Sequence, residues 1–188
     1  MENRFGLSME PAFHKDRIDD FKKKAGKLPK GTKIFVGSSA DMWGDWVPKE
    51  WIDAVLAVCS QYKGLEFQFL TKNPKRYIEF RIPSNCIRGI TVDTNKRVFE
   101  YEDNCIHIDF ISFEPLLEKL EYKTLFLIKY SDAQWIIIGG DSTPGAAKPP
   151  DEWADEIIDW VRMDDMRVWV KDNYKYHTKI KEHIGGKK

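Results

Sequence analysis

Apolar and polar positions change places along this chain at short, regular intervals. Aromatic and β-branched residues gather over Lys33 to Gly37, Glu66 to Leu70, Ile87 to Val92, Ile106 to Phe113, Trp135 to Ile138 and Val168 to Val170. Each run has the length of a strand and gives way to glycine or a polar residue, which predicts six strands. Between the first two runs, Pro48 to Cys59 places Trp51, Ile52, Val55, Leu56 and Cys59 on one face, with proline at the start and Gly64 just past the end. That is an amphipathic helix. A second follows Pro149-Pro150, where Asp151 to Met163 buries Trp153, Ile157, Trp160 and Val161 and carries acidic residues in its first turn, where the helix dipole favours them. Shorter helical pieces are predicted over Lys75 to Phe80 and Asn95 to Tyr101, and Glu118 to Asp132 fits a helix or a hairpin equally.

Strands that are apolar throughout and alternate with helices belong in a parallel sheet whose faces are covered. The expected class is α/β: repeated strand-helix units forming a parallel sheet, either doubly wound or, preferred here, a partial (β/α) barrel of about six strands. The expected organisation is one domain over 1–188, with a helical segment over 1–30 and a basic tail over 174–188 that ends in a frayed Gly185-Gly186-Lys187-Lys188. A chain of 188 residues can bury a sizeable core without disulfides or metals.

Composition narrows the partners. Thirty basic residues balance thirty acidic ones, so global charge does not draw the chain to nucleic acid or to an anionic membrane. The apolar runs are far shorter than the roughly 20 residues of a membrane span, and the first residues lack the apolar core of an export signal. A cytoplasmic location with no membrane partner is expected. Cys59, Cys86 and Cys105 are odd in number and widely spaced, which suits reduced, buried thiols. Four histidines (His14, His107, His177, His183) show no metal-ligand spacing, so no metal site is assigned, and no catalytic residue follows from spacing. The tryptophans fall mostly on buried faces; Trp43 and Trp46, in the loop after the first strand, are the two that spacing leaves available to line a site. In the tail, lysines interleave with Tyr174, Tyr176 and His177, a pattern that contacts nucleic acid in some proteins and is a solvated helix face in most.

In parallel α/β folds, the loops leaving the carboxyl ends of the strands share one rim, and that rim carries the site. Here the strand ends are Ser38-Ser39-Ala40-Asp41, Thr71-Lys72-Asn73, Asp93-Thr94, Glu114-Pro115, Gly139-Gly140-Asp141-Ser142 and Lys171-Asp172-Asn173. Polar residues also end strands simply to cap the next helix, and Asp93, Ser142 and Asn173 taken singly fit that role as well. Lysine is a poor cap, so Lys72 and Lys171 call for a partner: a ligand's acid group, or Asp41, Glu114 or Asp141 across the rim. The Gly139-Gly140 pair lets backbone approach a ligand, although it matches no phosphate-loop or dinucleotide fingerprint.

In order along the chain, RFG, IFVGSSADMWGDWVPKEWIDAV, FQFLTKNPKRY, GITVDT, FISFEPLL, WIIIGGDSTPGA and VWVKDN resemble the phage-associated family named after phage gene products thirty-seven and sixty-eight, whose members are similar to radical S-adenosylmethionine enzymes. The resemblance implies a shared rim of Ser39, Asp41, Lys72, Asp93, Glu114, Gly139, Gly140, Asp141 and Lys171, with Asp93, Glu114 and Asp141 taking the amine and ribose of S-adenosylmethionine. It also implies a four-iron cluster held by cysteines ahead of the Arg4-Phe5-Gly6 segment. This chain has only Met1 to Asn3 there, and its three cysteines are expected to point away from the rim, so neither cofactor is expected to act in this chain alone. Asp141 also stands where that family has glutamate. The expected function is a ligand-binding barrel fragment, taking a small molecule at the strand C-terminal ends. The alternatives are a binding or scaffold protein acting through a protein or nucleic-acid partner, and a hydrolase or transferase built on Lys72, Glu114, Asp141 and Lys171. A missing first strand would leave a sheet edge that calls for a covering segment or self-association.

Overall fold

The computed structural model describes residues 12–38, 40–99, 106–129 and 131–184; Arg4 to Gly6, Ser39, Tyr101, Cys105 and Gly185 to Lys188 lie outside the described residues. Helix α1 (Lys15–Ala25) leads into strand β1 (Lys33–Phe35). Then follow α2 (Lys49–Gln61), β2 (Glu66–Thr71), a 3-10 turn over Pro74–Glu79, β3 (Cys86–Thr91), α3 (Asn95–Phe99), β4 (Phe110–Phe113), α4 (Tyr122–Lys129), β5 (Trp135–Ile138), α5 (Asp151–Arg162) and β6 (Arg167–Val170). The segment that fitted helix or hairpin is a helix, α4.

The six strands are all parallel and lie side by side in chain order, β1-β2-β3-β4-β5-β6, in a curled half-barrel. A doubly wound sheet reverses its order at a switch point; this one never does. Successive crossovers of one hand then put the helices on one face and leave the other concave. The two faces differ in what they bury. Ile111, Phe113, Ile136, Ile138, Val168 and Val170 join Leu56, Ile157 and Val161 in the core beneath the helices. Phe110 and Trp135, one residue out of phase, stay outside that core and pack against each other at a tilt with ring centroids 5.2 Å apart.

Parallel register stacks the concave residues in rows. Leu70, Gly89, Phe110, Trp135 and Arg167 are successive partners across the sheet, and so are Thr91, Ser112, Ile137 and Trp169. A Cβ on Gly89 would sit 2.1 Å from the Phe110 ring, so only glycine lets that ring lie flat across β3.

Two segments differ from the sequence expectation. The fourth strand begins at Phe110 rather than Ile106, because Asp109 turns its carboxylate to accept the Arg88 N–H at 2.7 Å, where a strand would continue its ladder. The basic tail is not a helix beyond the 3-10 turn Asp172–Tyr174. It doubles back antiparallel along β6, with Val170 N–H donating to the Ile180 carbonyl (2.9 Å) and Glu182 N–H to the Val168 carbonyl (3.0 Å). Arg162 grips the Glu182 carboxylate in a two-pronged pair at 2.9 and 2.6 Å. The tail thus covers the outer edge of β6. The outer edge of β1 pairs with no strand among the described residues. No helix among the described residues is long and apolar enough to cross a membrane.

Candidate functional site

The concave face holds a cavity of about 640 Å³. Phe35, Leu70, Trp135, Ile137 and Trp169 give it apolar walls, and Lys72, Glu114 and Lys171 stand at its mouth. Trp135 and Trp169 therefore take the place that loop position suggested for Trp43 and Trp46. Trp43 is fully buried against Phe69, Tyr77 and Phe80, and Trp46, 65% exposed, lies outside the cavity lining.

The far end of the cavity is closed by the tail. The His183 ring packs at a tilt against Trp135, centroids 4.3 Å apart, and reaches Gln68 of β2, with Nε2 2.8 Å from the Gln68 amide nitrogen. Since Nδ1 lies 2.7 Å from the Ile184 carbonyl, which can only accept, the proton sits on Nδ1 and Nε2 accepts from Gln68. The second Gln68 N–H donates to Glu66 at 3.0 Å. Burial, with Lys33 nearby, lowers the His183 pKa and keeps the ring neutral, as this arrangement requires.

At the rim, three polar knots form. Asp41 joins β1 to β2: its carboxylate accepts from Trp43 N–H (3.0 Å), Thr71 Oγ1 (2.8 Å) and Lys72 N–H (2.9 Å). Asp93, 5% exposed, receives Lys72 Nζ at 2.7 Å and Arg97 Nε at 2.6 Å. Burial alone would raise the Asp93 pKa; the hydrogen bonds from Arg97 and Lys72 outweigh it and hold the carboxyl below its ordinary value. In the third knot, Glu114 accepts from Lys171 Nζ (2.6 Å) and Asn173 Nδ2 (3.0 Å). The two N–H groups of Asn173 are shared among Glu114, the Gly140 carbonyl (2.9 Å) and Ser142 Oγ (3.0 Å), and its Oδ1 accepts from Gly140 N–H at 3.3 Å. Gly139 is the space for this knot: a Cβ there would lie 2.8 Å from the Glu114 carboxyl.

Of the residues assigned to the rim from sequence, Asp41, Lys72, Glu114 and Lys171 line the cavity. Asp93 stands behind Lys72, and Gly139 and Gly140 stand behind Glu114 and Asn173. Asp141 is exposed and lies off the cavity lining; its carboxylate accepts the Thr143 N–H at 2.8 Å, and the bonds from Thr143 lower its pKa. Ser39 lies outside the described residues.

The rim expected from sequence did not include the wall residues Trp135 and Trp169, nor Arg97, His183 and Ser112. Ser112 lines the cavity, is 1% exposed, and its hydroxyl has no hydrogen-bond partner among the described residues. Its signal was a polar residue inside the apolar run Phe110-Ile111-Ser112-Phe113-Glu114, two residues from Glu114 and so on the same strand face.

The residue numbers 3–188 match the model of the family described as Protein of unknown function (DUF5131). The chain belongs to that family. No curated protein and no solved structure matches it. The DUF5131 match spans every element above, and the family's description names no activity, so function rests on the cavity. An iron cluster does not fit the cysteines that can be placed. Cys86 opens β3 at the end opposite the rim, and Cys59, near the end of α2, is buried in the helix-side core. No group of three or more candidate metal ligands exists among the described residues.

Proposed function

We propose that this DUF5131 chain is a ligand-binding half-barrel related to the radical S-adenosylmethionine enzymes, receiving a small molecule on its concave face. The observation that carries the proposal is the cavity itself, apolar within and ringed at the strand C-terminal ends by Lys72, Glu114 and Lys171. Strand C-terminal ends are where parallel α/β barrels place their chemistry. S-adenosylmethionine is the first ligand to test, because the strand-end motifs resemble those of that enzyme class and Lys171 would receive its carboxylate. No step is assigned to an iron cluster, since Cys59 and Cys86 do not face the cavity.

The test is a calorimetric and thermal-shift titration of the purified protein with S-adenosylmethionine, S-adenosylhomocysteine, methylthioadenosine and methionine, beside an iron and sulfide assay. Saturable binding of at least one of these, weakened by Glu114→Gln, is the expected result. Unchanged melting temperatures with all of them would remove the relation to that enzyme class and favour the scaffold alternative.

A further inference from the structure

The tail does more than cover the edge of β6, because His183 reaches across the concave face. Glu182 anchors it. The Glu182 carboxylate accepts from Arg162 of α5 and from Val168 N–H at 2.9 Å, and the Glu182 carbonyl accepts the Trp135 indole N–H at 2.9 Å. Beyond that anchor, His183 spans from Trp135 of β5 to Gln68 of β2 and lines the cavity floor with Lys33.

The bond to Gln68 exists only for a neutral ring. Nδ1–H donates to the Ile184 carbonyl (2.7 Å), so Nε2 meets the Gln68 amide nitrogen (2.8 Å) as an acceptor. A proton on Nε2 would set donor against donor. Gln68 cannot turn its amide without loss, since the same nitrogen donates to Glu66 Oε1 at 3.0 Å and the turned carbonyl would face that carboxylate. Among charged neighbours, Lys33 of β1 opposes a charged ring and Glu66 of β2 favours one. Glu66 Oε1, however, lies 3.8 Å from Nε2 and is the oxygen that holds Gln68. On β5 the ring meets uncharged Trp135, and on α5 and β6 Arg162 and Arg167 act on Glu182. The His183 side chain is 14% exposed, so a charge there would form largely out of water. Burial, the largest influence, and Lys33 outweigh the Ile184 carbonyl and Glu66, and the pKa of the ring is lowered.

We infer that His183 is an acid-released latch: as a neutral ring it closes the floor of the cavity, and on protonation it swings off Gln68 and Trp135 about the Glu182 anchor and opens that end. As regulation, the latch rests on the concave face being the ligand site; its working is tested without a ligand, so the two can fail separately. A released ring titrates near its ordinary value of about 6.5 and the latched ring lower, so the latch is fully held above about pH 6.5. Below that, release gains up to about tenfold per pH unit, until the latched ring itself takes the proton.

The experiment is an NMR titration of the full chain from about pH 7.5 to about pH 5, with a soluble gadolinium chelate present to broaden the signals of solvent-exposed groups. Wild type is compared with His183→Phe, which keeps a ring against Trp135 and cannot take a proton. In wild type, the His183 ring is expected to titrate below its ordinary value. Over the same range, the Gln68 side-chain amide and the Trp135 ring protons become broadened while the α5 amides stay unchanged. In His183→Phe, broadening at Gln68 and Trp135 is expected to hold one level at every pH. Three results would overturn the latch: a His183 midpoint at or above the ordinary value, a ring that titrates while Gln68 and Trp135 stay shielded, or the same pH response in His183→Phe.

Discussion

The two faces of one sheet are built to opposite rules. On the helix side, Phe69, Phe113, Ile136, Ile138 and Val168 are fully buried and apolar, and their role ends with packing. On the concave side the alternate residues are mixed: Leu70, Phe110, Trp135, Ile137 and Trp169 are apolar, Ser112 is polar, and the Glu114–Lys171 pair at the rim and His183 at the far end flank them. The helix face is what a fold requires. Nothing about folding requires a lysine-carboxylate pair at the mouth of an apolar cavity, and an unpartnered Ser112 within it lowers stability. Residues kept at a cost to folding are the ones to ask about function.

That contrast predicts a graded set of responses. The largest belongs to the helix side: Phe113→Ala, at a fully buried position, should destabilise by about 3–5 kcal/mol in chemical denaturation. Removing the tail from His177 onward comes next. It takes away two ladder hydrogen bonds, the Arg162–Glu182 pair and the cover over Trp135, roughly 2–4 kcal/mol together. It should also shift tryptophan fluorescence to the red as Trp135 meets water; unaltered emission would mean that the tail does not seal the cavity.

Asp93→Asn should cost about 1–3 kcal/mol near neutral pH, because it removes the shared partner of Lys72 and Arg97. The sign with pH follows from its lowered pKa. A carboxyl held below its ordinary value adds stability above about pH 4, where the unfolded chain is ionised, and loses it as pH falls through the folded value. Wild type should therefore lose stability below pH 4 more steeply than Asp93→Asn, and parallel acid limbs would contradict the pairing. The smallest effect separates the rim from its surroundings. Exposed Asp141→Asn should change stability by less than about 0.5 kcal/mol and leave binding unaltered, while Glu114→Gln, facing the cavity, should weaken it.

Most of the architecture was legible in the chain because local pattern and tertiary burial agree. The run Trp135 to Ile138 is β5 with the same bounds, and Asp151 to Met163 differs from α5 by one residue. Where they disagree, the sequence misled. The lysines of the tail suggested solvent or nucleic acid, yet Ile180 to Glu182 pair antiparallel with β6, and that pairing, which Ile-Lys-Glu does not announce locally, sets the conformation. Trp43 follows a strand like a site residue, and its ring instead fills a gap among Phe69, Tyr77 and Phe80 that no local pattern encodes. At the rim, spacing found Lys72, Glu114 and Lys171. It could not tell that Asp93 faces two cations or that Asp141 turns to its own loop, because both follow from side-chain direction in three dimensions.

On the function proposed above, the concave face, and not the helix face, receives a ligand. The most direct test is a backbone-amide NMR titration with S-adenosylmethionine, S-adenosylhomocysteine and methylthioadenosine. Shifts concentrated at Lys72, Ser112, Glu114, Trp169 and Lys171, with α2 and α5 unmoved, are the predicted result. Perturbations confined to the helices, or none at saturating concentrations of all three compounds, would contradict it.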